Sequence, residues 1–523
     1  MQDTTPEPDG DSAEASTVLA EVLPGIAVVF GEVPPELRVD LIDFGLVPAG
    51  DRDRISAALA SIGTTATVAG NLGNAVAGAQ GLYRVTDATM ALLKAGGTLA
   101  VKDGANLGAI FANGRIVAQA RFIPVSAVGV AQTVAAIGPA LAMVAMQMQL
   151  SEITGLTRTN IALTSQVLTT VRHEQWAELT ALVTTIDRAV DKAREIESVP
   201  ASLWDSVAGS EAALRKQRDL YRLNVDNHIR QVHRLDRRAR REYLETNAEA
   251  ILFDAHALLS SVKAWTGYQA LHAARARAAG AGDPAEARLV DAIARDTGEE
   301  LKSALAEATR LVDALARELR IIAELPGRDT LALPGMRKDA NAARQTSARL
   351  LEALEPLADA LHPPIPALEA PEVFCAPASL EPGPSLRILR WFLEDGETVR
   401  VLGFPDQPGG GKSLVGGAKG LLGAKDKMAG KDLVAVTDRR VLTAKATAFL
   451  EQGEIRQDVP IDLIRYVRTA PNREAIDLIT RDENIRWLFP ADVDRAHVDA
   501  LAALLAESMT IPDREREELL GRR

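Results

Sequence analysis

A glycine-rich tract is the first candidate for chemistry, because Gly411-Lys412-Ser413 matches the end of a phosphate-binding loop. A Walker A loop also requires a glycine five residues before Gly411, and Asp406 stands there. The carboxylate of Asp406 would repel the phosphates that such a loop binds. The sequence therefore predicts no nucleotide site, and the tract is interpreted as a flexible loop that carries several lysines. These are Lys412, Lys419, Lys425, Lys427 and Lys431.

The histidines do not form a recognisable metal site. His173-Glu174 begins like a zinc-protease motif, but Ala177 occupies the position of the second histidine. His228 and His233 are five residues apart, which puts them on diverging faces of a helix. Neither a nucleophile elbow nor a convincing pair of carboxylates is present in the sequence. We therefore predict a non-enzymatic protein with no metal, no cofactor and no small-molecule substrate.

The densest run of positive charge in the chain lies between His228 and Arg241. Its arginines form either a solvated helix face paired with neighbouring acids, or a contact for an acidic partner, an anionic membrane or nucleic acid. The net charge of −12, from 59 Lys and Arg against 71 Asp and Glu, argues against broad nucleic-acid binding. The candidate contacts are Arg230, Arg234, Arg237, Arg238 and Arg241, and Arg240 belongs to the same run.

A single cysteine, Cys375, excludes an internal disulfide framework and any zinc site built from several cysteines. The low cysteine content fits a reducing compartment, and a structural role is expected for this thiol. Residues 1–16 carry no Lys or Arg and so lack the charged region of a secretory signal. These features predict a cytoplasmic protein, and the preference for Ala and Arg is typical of a high-GC bacterial genome.

From Phe122 to Ser151 the sequence has no charged side chain, and this length is sufficient to span a bilayer. Prolines and glutamines interrupt the stretch. Two interpretations remain open: a helix buried in a bundle, or a segment 122–150 that inserts into the inner membrane. A second uncharged stretch, 55–83, resembles a small-residue packing helix that could accompany it. The candidate membrane residues are Phe122, Val128, Val134, Ile137, Leu141 and Val144.

Helix is the expected main element, because aromatic residues are only 4% of the chain and Ala, Leu and Val supply most of its apolar content. Apolar residues recur at alternating intervals of three and four in regions that start at Trp176, Leu244 and Leu301. Seams of this short length are typical of antiparallel helices in a bundle. Nearer the N-terminus, Asn113-Gly114 joins two β-prone runs and predicts a hairpin at 107–123.

After a proline-rich segment, the sequence changes to short β-prone runs followed by one amphipathic helix. The run Val436-Thr437-Asp438-Arg439-Arg440-Val441-Leu442 resembles the most recognisable strand of bacterial pleckstrin-homology-like (PH-like) domains. The patterns Val459-Pro460-Ile461 and Ile485-Arg486-Trp487-Leu488-Phe489 match later positions of the same family. The resemblance covers residues 390–510, about a quarter of the chain, and implies a small curved sheet capped by a helix.

The resemblance also bears on the lysine-rich loop. In pleckstrin-homology folds, the loop between the first two strands contacts anionic head groups, and the lysine-rich loop of this chain occupies that position. The resemblance does not by itself imply lipid binding. Two interpretations of the loop remain open: contact with an anionic membrane surface, or a solvated loop that binds nothing. Other members of the superfold bind peptides, so a protein partner remains open.

The predicted fold is mainly α. It consists of a long antiparallel helical bundle, a small N-terminal α/β segment containing a β-hairpin, and a C-terminal PH-like β domain capped by a helix. The chain length leaves room for several domains. The predicted parts are a disordered acidic tail (1–16), the α/β segment (17–125), the bundle with its hydrophobic first helix (126–362), a linker (363–385), the PH-like domain (386–510) and a charged tail (511–523).

The leading functional hypothesis is a non-enzymatic intracellular protein whose PH-like domain docks to a membrane surface or a protein partner. The first alternative is a membrane-inserting or pore-forming effector that uses segment 122–150. The second alternative is a soluble scaffold with no membrane contact. The predicted localisation is cytoplasmic, peripheral to the inner membrane or conditionally inserted into it. The oligomeric state is left open.

Overall fold

The computed structural model describes most of the chain and divides it into two compact units. The first unit comprises 1–234 and 249–311, and the second comprises 235–248 and 312–523. The protein is mainly helical, with a sheet near the N-terminus and a β region near the C-terminus that is followed by a helix, as predicted. The described residues are 17–30, 39–42, 44–63, 79–85, 100–102, 105–107, 109–112, 115–123, 131–167, 173–235, 237–279, 283–326, 334–407, 428, 430–469, 475–481 and 483–509.

The first unit contains a sheet whose strand order is β3-β4-β2-β1-β8-β7, in which β1 and β8 are parallel and the other neighbours antiparallel. The turn between β1 and β2 contains Gly25 with φ of 76°, a conformation that side-chain-bearing residues rarely adopt. A separate two-stranded ladder pairs β5 with β6. The strands are β1 (Thr17–Leu23), β2 (Ile26–Phe30), β3 (Val39–Ile42), β4 (Ala79–Val85), β5 (Ala100–Lys102), β6 (Ala105–Leu107), β7 (Ala109–Ala112) and β8 (Arg115–Ile123).

The predicted N-terminal hairpin is confirmed, because β7 and β8 pair antiparallel as far as Ala112 and Arg115. The turn itself, Asn113-Gly114, lies outside the described residues.

The helices of the first unit follow the predicted apolar seams. In α3, the seam residues Leu179, Ile186 and Val190 are buried. The helices are α1 (Ala49–Gly63), α2 (Ala131–Val167), α3 (His173–Glu195), α4 (Ala201–Asp205) and α5 (Glu211–Arg234). Two longer helices, α6 (Arg237–Ala279) and α7 (Pro284–Glu324), contribute residues to both units.

Helix α6 forms the centre of the core of the first unit. Between 251 and 276, every side chain is buried or half-buried. A helix that is covered on all sides must lie inside a bundle, since a surface helix keeps one polar face. Helix α6 ends at Ala279 and α7 begins at Pro284, since proline is favoured in the first turn of a helix.

The uncharged segment 122–150 does not form one continuous helix. Phe122 belongs to strand β8, which ends immediately before Pro124, and α2 begins at Ala131. Proline lacks an amide hydrogen and favours extended backbone in the residue before it, which suits the end of a strand. The second uncharged stretch is also divided, since α1 ends at Gly63 and β4 begins at Ala79. Among the described residues, no helix combines the length and the hydropathy required to cross a membrane.

The second unit contains two sheets and, among its described residues, four α-helices of its own. A five-stranded sheet has the order β13-β12-β11-β10-β9, and a three-stranded antiparallel sheet has the order β14-β15-β16. The elements are α8 (Pro334–Leu361), β9 (Val373–Cys375), α9 (Gly383–Leu389), β10 (Val399–Gly403), β11 (Asp432–Thr437), β12 (Arg440–Lys445), α10 (Ala446–Gln452), β13 (Gln457–Pro460), β14 (Ile464–Thr469), β15 (Ala475–Thr480), β16 (Asn484–Leu488) and α11 (Arg495–Glu507).

The five-stranded sheet is buried on both faces. Successive residues of β11 face opposite sides, so that Val434 and Val436 join one apolar cluster while Ala435 joins the other. The first cluster includes side chains of the three-stranded sheet and of α11, such as Trp487 and Leu501. The second includes residues of α7, α9 and α10. Burial of both faces explains why the central strand β11 is a continuous apolar run from Leu433 to Val436.

The proline-rich segment 363–385, predicted as a linker, contributes an edge strand to the sheet. Strand β9 pairs parallel to β10, with Cys375 opposite Gly403. Cys375 is completely buried and lies in the apolar cluster that contains Trp487. Three residues are enough for one short edge strand, and prolines are tolerated beside such a strand because its outer edge needs no ladder hydrogen bonds.

Candidate anionic-surface site and buried polar clusters

The described residues that flank the lysine-rich tract form a closed structure, here called the loop base, made of Asp406, Gln407, Gly430 and Lys431. The Gln407 amide donates to the Gly430 carbonyl at 2.9 Å, and the Gln407 side-chain Nε2 donates to the Lys431 carbonyl at 3.0 Å. Lys431 Nζ donates to Asp406 Oδ1 at 2.9 Å. The Asp406 amide donates to the Leu488 carbonyl at 2.7 Å, which connects the loop base to β16. The two ends of the lysine-rich tract are therefore held together.

Lys431 differs from the other predicted lysines. Its ammonium is paired with Asp406 and its side chain is only 13% exposed, so Lys431 contributes to the loop base. Its predicted contact with an anionic surface stays a prediction. Asp406, the residue that excludes a Walker A loop, is its structural partner. The other predicted contacts, Lys412, Lys419, Lys425 and Lys427, lie outside the described residues.

The Thr437-Asp438-Arg439-Arg440 run, which carries the PH-like resemblance, forms a turn held by buried hydrogen bonds. Thr437 Oγ1 donates to Glu397 Oε1 at 2.7 Å and accepts from the amides of Arg439 and Arg440 at 3.0 and 2.9 Å. Arg440 donates from Nε and Nη2 to the two oxygens of Glu397, each at 2.9 Å. Asp438 Oδ1 accepts from the Thr398 amide at 2.9 Å. These polar groups connect β10 to the β11–β12 turn.

Glu397 is the electrostatic centre of this turn, and its side chain has no exposed surface. Burial alone would raise the pKa of Glu397, but hydrogen bonds from Arg440, the Glu394 amide and Thr437 outweigh it and lower the pKa. Glu397 is therefore ionised at neutral pH. Arg440 also donates to Asp458 Oδ2 at 2.7 Å and to the Phe392 carbonyl at 2.7 Å. The hydrogen bonds and ion pairs around Glu397 thus connect Phe392, β12 and β13.

The predicted arginine contacts lie on two helices. Arg230 and Arg234 are exposed near the end of α5, and Arg230 is paired with Asp226 at 3.1 Å, one turn earlier on the same helix. Arg237, Arg238 and Arg241 belong to the first turns of α6. The Arg230 pair agrees with a solvated helix face, for which such an exposed contact contributes little stability.

The run also begins with His228, which is 12% exposed and whose contact with Asp254 the sequence did not reveal. His228 Nε2 lies 3.1 Å from Asp254 Oδ2, and Asn224 Nδ2 donates to Asp254 Oδ1 at 3.1 Å. The Asp254 side chain is 1% exposed. The available signal was the four-residue spacing of Asn224 and His228, which puts both on one helix face. Among the described residues, no group of His, Cys, Asp or Glu could hold a metal ion.

A second buried histidine, His256, packs against Trp176, with ring centroids 5.2 Å apart. Its Nε2 lies 3.4 Å from Ser260 Oγ. Burial lowers the pKa of His256 to about 4, because the charged ring would lose its hydration. The ring is therefore neutral at physiological pH.

A cleft of about 260 Å³ in the first unit is lined by apolar side chains and by Asp51, which pairs with both Arg54 and Arg277. Arg277 Nη2 and Nε donate to the two oxygens of Asp51 at 2.6 and 3.0 Å. The hydrogen bonds that Arg277 donates to the Asp51 carboxylate raise the pKa of Arg277, so the guanidinium stays charged. This pair connects α1 to α6 and was not predicted, because the two residues are far apart in sequence.

Among the predicted membrane residues, Val144 is buried and Leu141 is half-buried on α2. Val134 and Ile137 belong to the same helix, Phe122 lies in β8, and Val128 falls outside the described residues. The described part of α2 thus uses its apolar side chains, Met143 and Met146 among them, in the core of the first unit.

No protein-family model matches this chain, and no curated protein matches it.

Proposed function

We propose that this protein is a non-enzymatic docking protein whose C-terminal domain is PH-like and binds an anionic surface. A membrane surface is the favoured target, and a protein partner is the other. Support for the fold comes from the two sheets of the second unit and from α11, which follows the last strand and packs on β14 and β9. This order agrees with the curved sheet and capping helix that the resemblance implies.

The observation that carries the proposal is the loop base. It closes a 20-residue insertion, 408–427, between β10 and β11, and that insertion contains four lysines and one aspartate in a chain of net charge −12. It also contains the apolar residues Leu414, Val415, Leu421 and Leu422. Lysines close to an anionic bilayer contribute about 1 kcal/mol each, and apolar side chains add burial in the interface.

The test is flotation of the full chain with neutral and anionic liposomes at low and high salt. We expect flotation with anionic liposomes only, weakened by salt because surface charges are screened within about 10 Å at 0.1 M. Replacing Lys412, Lys419, Lys425 and Lys427 by glutamine should abolish it. The matched control replaces four exposed lysines elsewhere, Lys192, Lys216, Lys302 and Lys445, and changes the net charge equally.

Flotation that survives in the tract variant would contradict the proposed contact. Flotation under no condition would exclude a membrane surface and make a protein partner the target. Flotation that resists salt would indicate insertion of apolar segments and would contradict electrostatic docking.

A further inference from the structure

The cleft beside Asp51 has a volume of about 260 Å³ and is lined by residues of α1, of the end of α3 and of the end of α6. The apolar side chains of its wall include Leu46, Val199 and Ala274, none of which is more than 7% exposed. Since about 150 Å³ is enough for a six-carbon ring, this cleft has room for about ten carbon-sized atoms. Its size and its lining therefore suit a small molecule with an apolar body.

The buried acid of the cleft, Asp51, has its charge compensated within the fold. Its side chain is 4% exposed, and its two oxygens accept from Arg277 Nη2 and Nε at 2.6 and 3.0 Å. These hydrogen bonds raise the pKa of Arg277, and the charge of Asp291, on α7, adds to the effect. Arg277 and Asp51 therefore satisfy each other.

The second acid that lines the cleft, Glu197, also has an arginine of its own. Arg52 Nη2 donates to Glu197 Oε2 at 2.9 Å, and the Arg52 guanidinium lies over the Phe44 ring. The Glu197 side chain is 57% exposed, so it lies at the mouth of the cleft and not in its apolar part. Each of the two carboxylates is thus bound by a different arginine.

Arg54, the third arginine at the cleft, has hydrogen-bond donors to spare. Its Nη1 lies 3.6 Å from Asp51 Oδ1, which is close enough for an ion pair but too long for a hydrogen bond. In the part of the chain that the structure describes, the Arg54 guanidinium makes no hydrogen bond, and the side chain is 54% exposed. Arg54 and Gly50 are four residues apart, so they lie on one face of α1, and both line the cleft. The donors of Arg54 are therefore accessible to a ligand.

We propose that this cleft binds a small monocarboxylate with an apolar chain. The planar guanidinium of Arg54 matches a carboxylate through two parallel hydrogen bonds. The chain lies against Leu46, Val199 and Ala274, where its transfer from water to the apolar wall favours binding. The site uses no residue of 408–427, so it does not depend on the proposed docking function.

The test is a ligand-detected NMR titration of the full chain with sodium octanoate, an unbranched eight-carbon acid, below the concentration at which it forms micelles. We expect saturable binding. Acetate has the carboxylate without the chain, and octylammonium has the chain with the opposite charge. Both should bind at least about tenfold more weakly, since each buried methylene contributes about fourfold to affinity and the ammonium cannot accept from Arg54.

Two variants test the cleft itself. Gly50 lines the cleft, and an added Cβ there has nothing within 4 Å, so Gly50→Phe can fill the space without overpacking its neighbours. Octanoate binding should be lost in Gly50→Phe and kept in Gly50→Ala, which adds only the Cβ. Arg54→Gln should lower the affinity about tenfold, the loss expected for hydrogen bonds to a charged group. The control Arg215→Gln removes an arginine of α5 that is 56% exposed and should keep the affinity.

The proposal is overturned if the wild-type protein shows no saturable binding of octanoate, or if octylammonium binds as tightly as octanoate. Equal binding by Gly50→Phe and Gly50→Ala would also overturn it, because the ligand would then lie elsewhere. If circular dichroism shows that Gly50→Phe does not fold, the comparison of Arg54→Gln with Arg215→Gln decides, and equal affinities would exclude the site. The glutamine variant of 408–427 should bind octanoate as the wild type does, which separates this proposal from the docking function.

Discussion

At the scale of single residues, the most recognisable run in the sequence serves the structure of its own domain. Thr437 uses one hydroxyl to bind a carboxylate and two backbone amides, and Arg440 uses its whole guanidinium for Glu397, Asp458 and a carbonyl. Such a turn requires a hydroxyl and a planar cation at fixed spacing. The Thr-Asp-Arg-Arg pattern can therefore be recognised for a structural reason, and it does not need to be a binding site. Its partner Glu397 is 40 residues away from Thr437 and could not be inferred from the run.

Glu397→Gln should destabilise the second unit by about 3 kcal/mol, because it leaves the buried Arg440 without its countercharge. Hydrogen exchange of amides in β11 and β12 measures this free energy. Glu394→Gln is the matched control, since Glu394 is 60% exposed and its pair with Arg439 should contribute less than about 1 kcal/mol. If both substitutions lowered the free energy of unfolding equally, Glu397 would not be the main countercharge of Arg440.

At the scale of elements, the spacing of apolar residues predicted which segments are helical. It did not predict the structure of every segment beside them. The seams starting at Trp176, Leu244 and Leu301 lie on α3, α6 and α7, because the spacing of apolar residues reports directly on one buried face. Composition alone did not predict which elements residues 122–150 and 363–385 form. An uncharged run is compatible with either a strand or a helix, and the pairing of β9 with β10 depends on residues distant in sequence.

Gly267→Ala should destabilise the first unit, because helices α3 and α6 approach most closely there. An added Cβ would lie 2.9 Å from Ile186 Cγ2 and 3.5 Å from Val190 Cγ2. Overpacking costs about 1–3 kcal/mol, and the gain in helix propensity returns about 1 kcal/mol, so we expect urea unfolding to show a net loss of up to about 2 kcal/mol.

Gly155→Ala is the matched control for this crossing, since Gly155 lies on α2 with nothing within 4 Å of an added Cβ. It should stabilise the protein by up to about 1 kcal/mol. If both substitutions changed the free energy of unfolding in the same direction, a Cβ at position 267 would not be overpacked against α3.

At the scale of the whole molecule, composition and periodicity predicted the fold class, whereas the division into units could not be predicted. Helices α6 and α7 each supply residues to both units. A seam of apolar residues shows that a helix face is buried, but it does not say which elements cover it. The same holds for the Asp51–Arg277 ion pair, whose partners are 226 residues apart in the sequence.

The two units should respond differently to acid. The lowered pKa of His256, about 4 against an ordinary 6.5, means that the unfolded chain binds the proton more readily. Above pH 6.5 the neutral His256 does not reduce the free energy of unfolding. As the pH falls from 6.5 towards 4, this free energy decreases by about 3 kcal/mol. The pKa of Glu397 is also lowered, so the stability that its ionised carboxylate provides is lost only as the pH falls below the ordinary glutamate pKa of 4.5.

Hydrogen exchange between pH 7 and 4, corrected for intrinsic rates, should therefore show α3 and α6 amides losing protection before those of β11 and β12. In His256→Gln this loss should become smaller, since the substituted side chain does not titrate. Loss of protection in β11 and β12 first, or an unchanged pH dependence in His256→Gln, would contradict this order.

The burial of Cys375 in β9 makes the native chain suitable for site-specific labelling. Burial raises the pKa of Cys375 to about 12, and only the thiolate reacts readily with maleimides and similar reagents. Since the chain has no other cysteine, a single one introduced at an exposed position would be its sole reactive thiol. Fluorophores or spin labels can thus be attached without first replacing a residue of the sheet.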